Sequence, residues 1–239
     1  MITLAFDTCF AGCSVAATWD GPGGDGPEGA SQCWRFERLV RGHAERLTPM
    51  IGEVMSEAPF GFDKIGLIVV TTGPGTFTGQ RVGIAAARAL ALATGAPVGT
   101  LSSLAVMAYT AAAEFPDEVA GKALAVAVDA RRSEIYFQVF TGADLSPLGP
   151  PELTTPEVAA KVLGELGPAL IAVGSGASLL AEHAQGLGVS VSARLPTLEP
   201  DVRFIPPGAV VAGHDLPRPL YLRPPDAKPQ DGAALARAP

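Results

Sequence analysis

Residues 65–92, IGLIVVTTGPGTFTGQRVGIAAARALAL, decide how the rest of the chain is read. Residues 65–70 are an apolar, β-branched run of strand length, the pattern of a strand covered on both faces. Gly73, Pro74, Gly75 and Gly79 then interrupt it, each easing an unusual backbone turn. The helix expected after them carries small residues at Gly79, Gly83 and Ala86 or Ala87, and large apolar ones at Val82 and Leu90. Such a face packs close against a sheet or a second helix. The loop has two readings. It precedes a helix N-terminus, whose unpaired N–H groups and dipole favour an anion, or it only turns a corner.

Upstream, residues 2–7 read as an apolar strand ending at Asp7-Thr8, and residues 13–19 as its antiparallel return. The turn between them holds an acid, a hydroxyl and glycine. It can cradle a phosphate or magnesium through backbone N–H groups and a carboxylate, or Asp7 and Thr8 can simply cap it. Residues 21–30 are Gly/Pro-rich and predict a flexible hairpin tip, with a third strand at 33–39. Residues 43–58 predict a helix with Leu47, Ile51, Val54 and Met55 on one face, Pro49 lying in its first turn or kinking it.

Downstream, a short strand is expected at 97–100 and a helix at 104–115, capped from Ser102-Ser103. The pattern then restarts. Ala123–Asp129 is an apolar strand ending in Asp129, a tight turn follows, and residues 134–140 alternate as a return strand. A helix at 155–166, a strand at 169–173, a Gly-Ser-Gly turn and a helix at 177–185 repeat the strand–loop–helix plan. A short strand at 189–191 and a last helix at 202–213, broken by Pro206-Pro207, complete the expectation. Residues 216–239 are rich in Pro and Ala and read as extended or disordered. The plan is a duplicated βββαβα α/β fold: an N-terminal lobe at 1–118, a C-terminal lobe at 119–223 and a tail at 224–239.

Composition narrows the function. Hydrophobic residues make up 48% of 239 and charged ones only 17%, which leaves limited polar surface and suggests an extra buried interface. The net charge of −7 argues against a chain that binds nucleic acid by itself. The apolar run at 84–98 is interrupted by Arg88, Gly95 and Pro97, so it reads as a core helix, not a membrane span. Strand-like residues begin at Met1 with no charged leader, so a cytoplasmic chain is expected. Cys9, Cys13 and Cys33 lack CxxC spacing and read as reduced thiols.

The three histidines, His43, His183 and His214, lie far apart, which disfavours a metalloprotease HExxH site. GPGTFTGQR is neither a Walker loop, since it lacks the spacing and the lysine, nor GxGxxG, since Thr78 stands where the last glycine belongs. No nucleophile elbow GxSxG is present. No pair of residues forms an acid/base couple on this evidence.

Several motifs in order carry a family resemblance: FDT at 6–8, HAERLTPMI at 43–51, TTGPGTFTGQRVGIAAARALA at 71–91, VDARRSEIYF at 128–137 and PLYLRPPDAK at 219–228. Together they resemble the TsaB (YeaZ) family, bacterial proteins of tRNA threonylcarbamoyladenosine synthesis. The glycine-rich tip at 21–30 is longer than is usual in that family, and the tail after Lys228 matches no motif of it.

The resemblance implies the two-lobed actin-like ATPase (ribonuclease H-like) fold. It also implies a non-catalytic subunit that dimerises with the transferase TsaD, which acts on adenosine 37 of tRNAs reading codons that begin with A, and that recruits the ATPase TsaE. No cofactor is then required, although weak ATP or ADP binding stays compatible. The tRNA is reached only through the complex, no membrane is involved, and a homodimer is expected without TsaD. The implied interface uses the two helices near 44–58 and 78–93, with Leu47, Met50, Ile51, Val54, Thr78, Arg81, Val82, Ala85, Ala86 and Ala89. The competing reading is an actin-like ATPase or small-molecule kinase in which Asp7, Thr8 and Asp129 hold magnesium and nucleotide.

Overall fold

A computed structural model describes residues 1–21, 26–167, 169–213 and 215–223. Strands β1 (Thr3–Asp7), β2 (Gly12–Trp19) and β3 (Ser31–Arg38) form an antiparallel meander. Helix α1 (His43–Glu57), strand β4 (Leu67–Thr71), helix α2 (Phe77–Thr94) and strand β5 (Val98–Leu101) follow. The sheet order is β3-β2-β1-β4-β5, with β1, β4 and β5 parallel. Helices α3 (Ser103–Glu114) and α4 (Pro116–Val119) lead to the second half.

That half consists of β6 (Ala123–Asp129), β7 (Ile135–Phe140), β8 (Glu152–Thr154), α5 (Pro156–Gly164), β9 (Leu170–Val173), α6 (Ala177–Gly186) and β10 (Ser192–Arg194). Its sheet, β10-β9-β6-β7-β8, repeats the first with the same parallel and antiparallel neighbours. The molecule is the duplicated two-lobed fold expected from the sequence.

Local chemistry explains the element ends. Thr76 caps α2 by accepting from the Gly79 amide at 3.1 Å, and Gly95 closes the helix in the left-handed region at φ 74°. Ser102 caps α3 by accepting from Ala105 N at 2.9 Å, while Thr155 and Pro156 start α5. β4 is buried at every position because both sheet faces are covered. On one face lie Leu47, Met50, Val54, Ile84 and Ala87 of α1 and α2. On the other, Val106 of α3 packs with Val202, Ile205 and Val210 against Ala5, Leu67 and Val69. α3 turns its remaining apolar residues, Leu104, Met107, Ala108 and Ala111, to the second sheet. It is a shared wall between the lobes.

Two expectations are corrected, and the place of Pro49, left open between two alternatives, is fixed. Residues 202–213 are no long helix: a 3₁₀ turn at Val202–Phe204 ends where Pro206-Pro207 remove the N–H groups that would continue it. The short strand lies at Ser192–Arg194 instead of 189–191, since Val189 and Val191 pack toward the core beneath α5 and α6. Pro49 lies inside α1 beyond its first turn, on the exposed side. The 3₁₀ turn Pro27–Gly29 adds order at the tip, while residues 22–25 and the tail 224–239 fall outside the described residues.

Candidate functional site

Three surfaces meet where the sequence placed its candidates: the turn after β1, the cleft between the lobes, and the outer face of α2. The turn is pressed directly onto the loop before α2. Thr8 Oγ1 donates to the Gly79 carbonyl at 2.7 Å, and Thr76 N donates to the Cys9 carbonyl at 2.7 Å. The approach is so close that a β-carbon at Gly79 would stand 2.0 Å from the Thr8 carbonyl oxygen, and one at Gly75 2.3 Å from that of Cys9. Here glycine is required by contact. Two further bonds tie the loop within the chain, Gln80 Nε2 donating to Gly75 O at 3.0 Å and Ser103 N to Gly73 O at 2.9 Å, while Gln80 Oε1 is buried without a partner.

Asp7 is fully buried beneath this junction. Its carboxylate accepts from Cys9 N at 3.1 Å and from the Thr71 hydroxyl. Burial away from water pushes its pKa up to about 7, against the lowering effect of those two donors. The Cys9 thiol, also buried and beside Asp7, is pushed well above its usual range, first by desolvation. Thr8 is likewise buried.

The cleft has a volume of about 690 Å³. Its apolar lining includes Phe10, Leu39, Met107, Val128 and Leu198; its polar rim includes Arg41, His43, Glu45, Asp129, Arg131 and Glu199. Asp129 does face the cleft, at the end of β6, where its Oδ1 accepts from Arg131 N at 2.7 Å and its Oδ2 lies 3.7 Å from the Arg131 guanidinium. Asp7 does not line it. The two aspartates that a magnesium–nucleotide site would need are therefore not presented to one surface, because burial beneath Gly79 and Thr71 withdraws the first. Among the described residues no three His, Cys, Asp or Glu side chains cluster as metal ligands. His43 lies at the cleft rim and His183 on the exposed side of α6, while His214 is outside the described residues.

Glu199 is the cleft residue that sequence reading missed. Its Oε2 accepts from two successive amides of the β1–β2 turn, Ala11 N and Gly12 N, each at 3.1 Å. No local pattern in TLEPD announces that contact, which spans nearly the whole chain.

The implied interface residues divide by burial. Leu47, Met50, Ile51 and Val54 face inward and hold α1 to its own sheet, so they present no surface to a partner; this corrects the expectation for those four. The period shared by Leu47, Ile51 and Val54 is that of a core-facing stripe. Val82 and Ala86 are half-buried against the same core. Thr78, Arg81, Ala85 and Ala89 are exposed along one side of α2, joined by Arg88 and a highly exposed Leu92. The segment after residue 216 lies beside them. Tyr221 stacks on Phe77 at 5.2 Å, Arg81 sits over the Phe77 ring at 3.5 Å and donates to the Tyr221 hydroxyl at 2.7 Å, and Arg88 donates to Pro217 O at 3.2 Å. Two of the motifs read separately in the sequence thus touch.

With this geometry in place, comparison with known proteins is informative. The family model of TsaD, tRNA N6-adenosine threonylcarbamoyltransferase, matches residues 37–170, more than half of the chain. The TsaB protein of Escherichia coli is 36% identical over 137 residues, 57% of this chain and 54% of its own length. The chain belongs to the TsaB (YeaZ) family. An uncharacterized protein of Mycobacterium tuberculosis is 35% identical over 198 residues, covering 80% of this chain and 79% of that one. A crystal structure of an uncharacterized protein with similarity to peptidase YeaZ from Pseudomonas aeruginosa superposes with a TM-score of 0.75 at 26% identity, over 93% of this chain and 99% of that one. The duplicated fold is thus shared with that YeaZ-like structure.

Proposed function

We propose that this chain is a non-catalytic scaffold subunit in the biosynthesis of threonylcarbamoyladenosine on tRNA. It pairs with a TsaD-type transferase and draws a TsaE-type ATPase to the complex. The observation that carries this reading is the outer side of α2. Thr78, Arg81, Ala85, Ala89 and Leu92 lie exposed along a helix with no acidic residue between Phe77 and Thr94, and the aromatic pair Phe77–Tyr221 fixes its first turns. Short side chains let a partner helix approach closely, and two arginines on the same face match an acidic partner surface.

Membership of the TsaB family supports the pathway, and the E. coli relative carries that biosynthetic name. The chain's net charge of −7 fits a subunit that reaches tRNA through its partner. No described helix is long and apolar enough to cross a membrane. The burial of Asp7 counts against the kinase or ATPase alternative, since that reading needs its carboxylate at the magnesium.

The test is size-exclusion chromatography of the purified chain with and without the TsaD-type transferase of the same organism. One joint peak is expected, together with a self-paired species when the chain is alone. Separate elution of the two proteins at micromolar concentration would overturn the pairing.

A further inference from the structure

The turn after β1 is built to receive an anion, and the chain fills it itself. Two consecutive N–H groups, those of Ala11 and Gly12, converge on one oxygen of Glu199, an arrangement of successive amides that selects negative charge. Gly12 is suited to this approach, since a β-carbon there would meet Glu199 Cβ at 3.1 Å. The segment that delivers Glu199 is anchored on β2: Ser14 Oγ donates to Pro200 O at 3.1 Å and accepts from Val202 N at 3.3 Å. Leu198 and Glu199 also form the partition between the interlobe cleft of about 690 Å³ and a side pocket of about 230 Å³ that holds Arg38.

We propose that Glu199 is an intramolecular plug, a carboxylate seated where the phosphate of a small-molecule ligand would sit, and that it keeps the interlobe cleft closed to phosphate-bearing ligands. Here the carboxylate holds both turn amides, and any phosphate must displace a half-buried side chain that already accepts from both. This reading does not depend on the proposed pairing with a transferase. It concerns only what the cleft can bind.

Inorganic pyrophosphate and ADP are the probes, titrated calorimetrically into the full-length wild type and into Glu199→Ala. Removing the carboxylate frees both amides and leaves Arg41 and Arg131 at the rim, so pyrophosphate is expected to bind the variant at least about tenfold more tightly than the wild type. The amide resonances of Ala11 and Gly12 are expected to move on titration of the variant. Should Glu199→Ala fail to fold, Glu199→Gln keeps an acceptor for the two amides and removes only the charge; a smaller gain in the same direction is expected from it. Equal pyrophosphate affinity for wild type and variant would overturn the proposal, as would perturbation confined to residues away from the turn. Tighter ADP than pyrophosphate binding by the variant would support it and add that the apolar cleft lining takes the base.

Discussion

Thr8 and Gly79 lie against each other so closely that the hydroxyl of the first donates to the carbonyl of the second at 2.7 Å and no β-carbon fits between them. That contact welds the turn after β1 to the first turn of α2. It explains why a hairpin ending in Asp-Thr and a Gly-rich loop occur in one chain. Gly79→Ala puts a methyl group 2.0 Å from a backbone oxygen, where no side-chain rotation relieves it. A loss of about 3 kcal/mol or more is expected, read from urea denaturation. Ala at Gly52, which has open space around it, is the control and should be neutral or stabilising.

Asp7 makes stability depend on pH in a direction opposite to that of a salt-bridged carboxylate. Its pKa rises from 3.8 to about 7 on burial. Below about pH 4 the group is protonated in both states and costs nothing. As pH rises, the unfolded chain releases the proton first, so stability is lost progressively up to and through pH 7. At about 1.4 kcal/mol per pH unit the full span is roughly 4 kcal/mol. Asp7→Asn can still accept from Cys9 N through its oxygen and donate to the Thr71 hydroxyl through its nitrogen. Its melting temperature should therefore exceed that of the wild type by more at pH 8 than at pH 5. A gap that stays the same from pH 5 to pH 8 would show that Asp7 is already ionised in the fold across that range. The other buried acids, such as Asp201 with its pKa near 6, cancel in the comparison.

The two helices make separable contributions. Leu47 is buried under α1, and Leu47→Ala should cost about 2–5 kcal/mol in thermal or urea unfolding. Ala85 is exposed, and Ala85→Glu should leave stability within about 0.5 kcal/mol of the wild type. The same change sets a bulky charge in the proposed helix contact and should abolish co-elution with the transferase. Intact co-elution with Ala85→Glu would move the docking surface off α2.

Much of this was legible in the chain. The β4–loop–α2 stretch announced itself because a fully apolar strand, a run of glycines and an alanine-rich helix each have a distinct local pattern, and the duplicated plan showed in the recurrence of Asp7 and Asp129 at strand ends. What the sequence could not show was direction. The 3.6-residue period of Leu47, Ile51 and Val54 marks a buried face, but a face buried in its own lobe and one buried in a partner share that period. Contacts across the whole chain were also illegible. Glu199 on the β1–β2 turn and Tyr221 on Phe77 depend on residues 198–221 returning to the first lobe, and proline-interrupted stretches such as 202–213 give no period that predicts such a path.

The proposed role of this chain is to serve threonylcarbamoyladenosine synthesis without performing the transfer itself. The direct measurement is mass-spectrometric quantification of that nucleoside in total tRNA from cells depleted of the protein, with wild-type and Ala85→Glu chains restored in parallel. The modified nucleoside should fall on depletion, recover with the wild type and stay low with Ala85→Glu. Unchanged levels after depletion would contradict the claim.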